Sequence, residues 1–335
     1  MGGIVTVTLN PAIDQSVWID RLVAGQTHRT QDFATTIGGK GINVARTVAR
    51  LGVEAHAIGI AGEDRAVSIE RHLASLGISA TFLPTPGETR TNLKLIEQST
   101  GRLTEINGTG PAVTQALIDR VEVELLATVA RTDAVAVVLA GSLPLGADPS
   151  IYARWTHLLN DLERPVRVLA DASDEALGRV VEAGPFLLKP NRSEAEGLLG
   201  RPVEGIEGAL DAALAIGRLG PQGVLLSLGA AGAVAAWNGT TEVLPPPAID
   251  LPPGRLLTTV GAGDAMVARM AVELAKRGRA AHVGASDFFD MCRGAVDEAA
   301  RRIGAGVVGR SSDGTRTAYQ ATADPLAGAV APVEP

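Results

Sequence analysis

AVAVVLAGSLP, residues 134–144, runs through seven small or branched apolar residues before stopping at Gly141, Ser142 and Pro144. No polar residue interrupts Ala134–Ala140, so a strand here needs cover on both faces, as strands have in parallel sheets flanked by helices. The same unit recurs on either side. A helical pattern over Ala116–Val129 precedes the run, and another over Ile151–Leu162 follows it. Next come a strand at Val166–Ala170 that ends on Asp171, a helix at Glu175–Glu182 and a strand at Phe186–Lys189. A helix at Gly208–Leu219 and a strand at Val224–Leu228 close the series. This alternation predicts an α/β fold, a mainly parallel central sheet with helices on both faces. Ligands on such sheets bind beyond the carboxyl ends of the strands. Ser142, Asp171, Lys189, Asn191, Ser227 and Gly229 all fall there.

The N-terminal part is less regular. Ile4–Leu9 reads as a strand ended by Asn10 and Pro11, with Asp14 next and a short strand over Ser16–Ile19. TIGGKGINVARTVARLG, residues 36–52, places Gly38, Gly39 and Gly41 at a helix start and Val44, Ala45, Val48 and Ala49 on its buried face. Lys40 and Asn43 stand at that entrance, where an ammonium and an amide suit a polar ligand. A dinucleotide turn fits poorly, because its glycines should follow the first strand directly. A strand over Ala55–Ile60 and a helix over Arg65–Leu76 come next. Thr91–Ile96 and Leu103–Ile106 then form a hairpin whose alternation is half polar, so one face can look onto a ligand. Arg90 and Lys94 either bring positive charge to that face or are ordinary solvated charges, the commoner case. Asp14 suits sugar hydroxyls as well as it suits an exposed turn.

TTVGAGDAMVARM, residues 258–270, brings Gly261, Ala262 and Gly263 up to Asp264 at the start of a helix that runs to Lys276. A helix start offers unpaired N–H groups and a partial positive charge, and the small residues admit a bulky anion. Asp264 is placed to take a proton from a hydroxyl attacking a phosphorus held by those donors. The pattern also suits an aspartate that merely caps a helix. In KPNRSE, Asn191 and Glu194 share one face of a helix start, so Glu194 suits a magnesium-held water or a first-turn acid. SLGAAGA, residues 227–233, either borders a nucleotide or turns a hairpin.

Composition narrows the classes. At 335 residues with 46% hydrophobic and 20% charged residues, the chain can bury one large α/β core, and with 3% aromatics that core is aliphatic. A net charge of −7 argues against a nucleic-acid surface. The single cysteine, Cys292, excludes an internal disulfide or a Cys-based zinc site and favours a reducing compartment. No segment approaches the roughly 20 apolar residues of a membrane span, so a soluble, cytoplasmic protein is expected. The Ala-, Pro- and Thr-rich stretch 311–335 is expected to be at least partly disordered.

In order and spacing, TLNPAID, GGKGINVAR, TRTNLKL, AGSLP, LLKPN with Glu194, SLGAAGA and TTVGAGDAM resemble the phosphofructokinase B family of ribokinase-like sugar kinases across residues 4–308. The resemblance implies a kinase domain over 1–310 with a small β-sheet lid from segments near 12–36 and 88–109, through which relatives pair as homodimers. It implies ATP and Mg²⁺ as cofactors, with a monovalent cation near Thr258 and Gly304. Asp264 would be the catalytic base and Gly261, Ala262 and Gly263 the anion hole. Asp14, Gly38, Gly39, Lys40, Asn43 and Ser142 would grip the sugar, with Arg29, Arg90 and Lys94 supplying cations for a sugar phosphate. Lys189, Asn191, Ser227, Gly229, Gly232 and Thr258 would face the nucleotide, and Glu194 the magnesium through water. The implied activity is phosphorylation of a sugar phosphate, first fructose 1-phosphate to fructose 1,6-bisphosphate. Tagatose 6-phosphate, fructose 6-phosphate or an unphosphorylated sugar or nucleoside are alternatives, and a non-catalytic sugar-phosphate binder is the rival from another class. One departure stands out. Relatives carry a small-residue helix beside adenine where this chain has GAVDEAARRIGAG with Asp297, Glu298, Arg301 and Arg302, so a changed nucleotide pocket is expected.

Overall fold

The apolar runs line up as one large sheet in the computed structural model, which describes residues 2–30, 32–248 and 261–305. In chain order the first elements are β1 (Ile4–Thr8), β2 (Ala12–Ile19), β3 (Phe33–Gly38), α1 (Lys40–Arg50), β4 (Ala55–Gly62), α2 (Ala66–Ser75), β5 (Ser79–Thr85), β6 (Arg90–Glu97) and β7 (Leu103–Asn107). The regular part follows as α3 (Gln115–Arg131), β8 (Ala136–Ala140), α4 (Ile151–Asn160), β9 (Arg167–Asp171), α5 (Asp174–Glu182), β10 (Leu187–Leu188), α6 (Arg192–Leu199), α7 (Gly205–Gly217) and β11 (Gly223–Ser227). Last come β12 (Ala233–Trp237), β13 (Thr240–Leu244), α8 (Ala262–Arg277) and α9 (Ala285–Ala305).

Nine strands pair in the order β13-β12-β11-β10-β9-β8-β1-β4-β5. Pairing is parallel from β11 to β5, and β12 and β13 add an antiparallel edge. Burial explains the choice: every residue of β1, β4 and β8 is buried, so neither face can meet water. One face packs against α1, α2, α8 and α9 through Val44, Val48, Ile69, Val267, Ala271 and Phe288. The other packs against α3 to α7 through Ile118, Val121, Trp155, Val180 and Ile216. The strand order reverses between β1 and β8, which makes their carboxyl ends the place for a ligand crevice.

β2, β3, β6 and β7 form a separate four-stranded sheet in the order β3-β2-β6-β7, within the segments expected for a lid. Its register sorts the side chains by face. Phe33 pairs with Val17, Val17 with Leu95, and Leu93 with Ile106, so these lie on one side. Asp14 pairs with Asn92 and Ser16 with Lys94 on the other.

Four elements, β3, β5, β13 and α9, have no counterpart in the sequence expectations. β5 and β13 are the two edges of the large sheet, where one side of the strand goes unpaired and Pro84 is tolerated. β3 alternates weakly, with three of its six residues exposed and only Ile37 and Gly38 buried. Thr258 and the stretch 311–335 lie outside the described residues, as do Ile249–Val260. Among the described residues no helix is long and apolar enough to cross a membrane.

In a chain with few aromatics, four of them gather in one place. Phe288 stacks on Trp237 with ring centroids 4.5 Å apart, and Phe186 and Phe289 meet it edge-on at 6.5 and 6.0 Å. This cluster fastens the start of α9 to β10 and β12. Phe288→Ala should therefore cost about 3–5 kcal/mol of unfolding free energy, read by denaturant titration. A loss below about 1 kcal/mol would show that α9 is held by other contacts.

Candidate active site

Two helices start bare at the same crevice. α8 begins at Gly261, whose φ of 81° is left-handed and unsuited to a residue with a Cβ, and no side chain caps its first turn. α1 begins after Gly39, again without a side-chain cap. The first-turn N–H groups of a helix have no partner within it, so both starts attract anions. α6, by contrast, closes its own start with a capping box between Asn191 and Glu194.

The two bare starts are joined by one hydrogen bond: Asn43 Nδ2 donates to Asp264 Oδ2 at 2.8 Å. Asp264 is 7% exposed. Burial, with the Asp171 charge adding to it, pushes its carboxyl up to about 6, against the hydrogen bond from Asn43 and the ammoniums of Lys40 and Lys189. That leaves the carboxylate ionised at neutral pH and close to the basicity a general base needs.

Asp171 is the second buried acid. Its Oδ1 lies 2.9 Å from Lys40 Nζ and 3.3 Å from Lys189 Nζ. Burial opposes its ionisation, but Lys189 and Lys40 outweigh burial and hold its carboxyl below the usual range. For Lys40 burial likewise works against the charge, and Asp171 and Glu194 reverse it to raise its pKa. Lys189 also lies within 3.2 Å of the Cβ position of Gly263, so its ammonium borders the α8 turn. Asp171 has no role in the sequence reading beyond its place after a strand. A carboxylate ending a buried strand is the signal that marks it.

Glu194 has divided duties. Its Oε2 accepts from the Asn191 N–H at 2.8 Å, while Oε1 faces Lys40 Nζ at 3.9 Å. Ser227 bridges to Asn191 and donates from Oγ to the Pro190 carbonyl at 3.4 Å. Lys189, Asn191, Glu194 and Ser227, with Gly229 two residues on, thus border one side of the crevice. The backbone of Gly232 faces the Leu244 carbonyl, where a Cβ would come within 2.2 Å, so this glycine serves the β12–β13 packing. Thr258, expected here, lies outside the described residues.

The lid supplies the other side. Asp14 accepts from Asn92 Nδ2 at 3.0 Å and from Lys94 Nζ at 2.9 Å, and the Cβ position of Gly38 lies 2.5 Å from its Oδ2. The lid's polar face is therefore tied to the approach of α1. Arg90 donates to the carbonyls of Asn10, Pro11 and Gly108, which places its fork at the root of the lid; burial lowers its pKa. Ser142 Oγ accepts from Asn10 Nδ2 at 3.4 Å. Arg29 stands apart, exposed in the connection between β2 and β3. A cavity of about 520 Å³ lined by Arg167, Trp237 and His282 lies at the opposite, amino end of the strands, away from this chemistry.

The family model described as pfkB family carbohydrate kinase matches residues 6–301. The chain is 38% identical over 274 residues to 1-phosphofructokinase from Xanthomonas campestris, covering 81% of this chain and 83% of that protein. It is 36% identical over 266 residues to 1-phosphofructokinase from Rhodobacter capsulatus, covering 79% and 81%. Among solved structures, phosphofructokinase-2 from Escherichia coli in complex with potassium superposes with a TM-score of 0.77 at 27% identity, over 91% of this chain and 93% of that one.

Asp264→Asn should keep the fold and lose most turnover. Because the folded pKa is raised, the stabilising contribution of this carboxyl is present below its free-chain value and is lost as pH rises through about 6. The variant should therefore unfold no earlier than wild type at pH 8; an earlier melt would refute the burial argument. For wild type, kcat should fall on the acid side with a limb near pH 6, and Asn43→Ala should move that limb upward, because the bond it removes favours the ionised form.

Proposed function

The chain belongs to the pfkB family of carbohydrate kinases, and we propose that it transfers the γ-phosphoryl group of ATP to fructose 1-phosphate, giving fructose 1,6-bisphosphate. The observation that carries the reading is Asp264: a buried carboxylate in the first turn of an uncapped helix, bonded to Asn43 at the foot of the lid. The relatives named 1-phosphofructokinase support the choice of acceptor.

In this reading the acceptor hydroxyl oxygen attacks the γ-phosphorus, the bond to the β–γ bridging oxygen breaks, and ADP leaves. The hydroxyl proton passes to Asp264. The N–H groups opening α8 receive the charge of the transferred group, and Lys189 adds an ammonium beside them. Asp14, positioned by Asn92 and Lys94, accepts from sugar hydroxyls as the lid covers the crevice.

Magnesium, when bound, neutralises donor phosphate oxygens. Among the described residues no group of three or more His, Cys, Asp or Glu side chains is placed to hold a metal. Glu194, whose carboxylate borders the crevice beside Lys40, would hold the ion through a water, with the donor phosphates supplying the remaining oxygens. A monovalent cation near Thr258 is retained as part of the proposal, since the Escherichia coli phosphofructokinase-2 structure contains potassium.

The partner at the outer face of the lid is proposed to be a second copy of this chain. Phe33 and Ile106 are 71% and 58% exposed on the face that also carries Val17, Leu93 and Leu95, an apolar surface suited to burial against its own kind. Phe33→Lys should convert the dimer to monomer in light scattering, and a wild-type monomer would remove this partner.

The substrate reading is tested by kcat/KM across fructose 1-phosphate, fructose 6-phosphate, tagatose 6-phosphate and ribose with ATP and Mg²⁺. Fructose 1-phosphate should lead by at least about tenfold. A lead for either 6-phosphate would move the chain to that neighbouring activity. No ATP consumption with any of the four would turn the reading toward a sugar-phosphate binder without chemistry.

A further inference from the structure

The cavity at the amino ends of the strands, about 520 Å³ in volume, has the size of a small-molecule site. Separate stretches of chain build it. Arg167 begins β9, Phe186 precedes β10 and Gln222 precedes β11, while Trp237 and Thr240 flank the β12–β13 turn and His282 lies between α8 and α9. None of these residues takes part in the chemistry around Asp264.

Arg167 is a cation without a counter-charge. Its Nη1 donates to the carbonyls of Gly278 and Arg279 at 3.5 and 3.1 Å, and its Nη2 donates to that of Ala281. Its Cζ stands 5.5 Å from the centre of the Phe186 ring. These bonds occupy three of the five guanidinium N–H groups and tie the α8–α9 connection to the sheet. Nε makes no hydrogen bond among the described residues and is open to solvent. No carboxylate pairs with this guanidinium among the described residues, and burial, unopposed by any acid, lowers its pKa.

The neighbouring acids are committed elsewhere. Asp133 faces Arg164 at 3.3 Å and Arg279 at 3.1 Å, and Asp287 accepts from the Gly284 N–H at 3.2 Å and faces Arg277 at 3.5 Å. In a chain of net charge −7, the corner where Arg164, Arg167 and Arg279 meet is short of negative charge. The side chains of Gln222, Thr240 and His282 make no hydrogen bond among the described residues, so their polar groups are open to a ligand. Phe186 and Trp237, both buried, give the same cavity an apolar wall.

We propose that this cavity is a second ligand site, for a small organic carboxylate, separate from the crevice around Asp264. The carboxylate takes the free Nε and Nη2 donors of Arg167, and the body of the ligand packs on Phe186 and Trp237, with Gln222, Thr240 and His282 at the rim. One guanidinium edge offers two parallel donors and a single positive charge, which two carboxylate oxygens and a single negative charge match. The ligand bridges the α8–α9 connection and the sheet, so its binding stabilises the folded chain. The proposal is independent of the kinase reading.

The test uses benzoate as the probe, with its neutral counterpart benzamide and inorganic phosphate beside it, on the full chain and on Arg167→Lys and Thr240→Trp. Binding is followed by saturation-transfer NMR and by the thermal midpoint. Benzoate should bind with a Kd of about 1 mM and raise the midpoint. Benzamide and phosphate should each bind at least about tenfold more weakly. Thr240 is exposed on the edge strand β13, so Thr240→Trp can fill the mouth of the cavity without disturbing the core. It should abolish benzoate binding and leave both the unliganded midpoint and kcat/KM for the sugar phosphate unchanged. Arg167→Lys keeps the charge but loses the fork, and should weaken benzoate by at least about tenfold. Absence of benzoate binding, equal binding of benzamide or phosphate, full binding by Thr240→Trp, or displacement of benzoate by ATP would each overturn the proposal. Should Arg167→Lys not fold, Thr240→Trp and the benzamide comparison decide by the same criteria. Failure of the chain to phosphorylate any sugar phosphate would end the substrate reading and leave this result standing.

Discussion

The carboxylate of Asp171, shared by Lys40 and Lys189, is the contact on which the rest of the crevice depends. Asp171 ends β9, Lys40 opens α1 and Lys189 follows β10, so one buried acid fixes three separate segments to one another. Burial works against the charge on Lys40 and on Asp171, and the attraction between them, with Lys189 beside Asp171, outweighs it. Its charge also reaches Asp264, where it adds to burial in making that carboxyl more basic. One interaction thus joins the ion pairs and raises the basicity of Asp264.

Around this centre two helix starts lie open, as do those of α2, α4, α5 and α7 elsewhere in the fold. α3 is capped by Thr114 and α6 by Asn191, whereas α1 and α8 begin at glycine with no side-chain cap. An unsatisfied helix start costs stability unless something binds there. Anions are what such a start binds best, and the two opening on this crevice are spaced across the Asn43–Asp264 bond. The lid contributes its polar face to the same space, and its register places the apolar residues opposite. A strand period of two divides ligand from partner surface.

Much of this was legible in the residues. Apolar strands such as Ala136–Ala140 must be buried on both sides, and that need alone predicts the parallel sheet. The hairpin's half-polar alternation likewise announced a sheet with two unlike faces. The remaining strands carry weak local signal: edge strands β5 and β13 need less apolar cover, and only the last two residues of β3 are buried. α9 is a different case, since Phe288, Cys292, Ala295, Val296 and Ala299 follow helical spacing and were available to be read.

The site divides along the same line. Sequence by itself determined the glycine-opened helices, the acid in the first turn of the second, and the strand ends at which polar residues gather, because each is a property of neighbours along the chain. Tertiary structure alone decided which of those groups meet. Asn43 and Asp264 are joined across 221 residues, Lys40 and Asp171 across 131, and Arg50 and Glu298 across 248. Charge pairing and burial act through space, so no local pattern encodes which lysine shares which acid or how basic a buried carboxylate becomes.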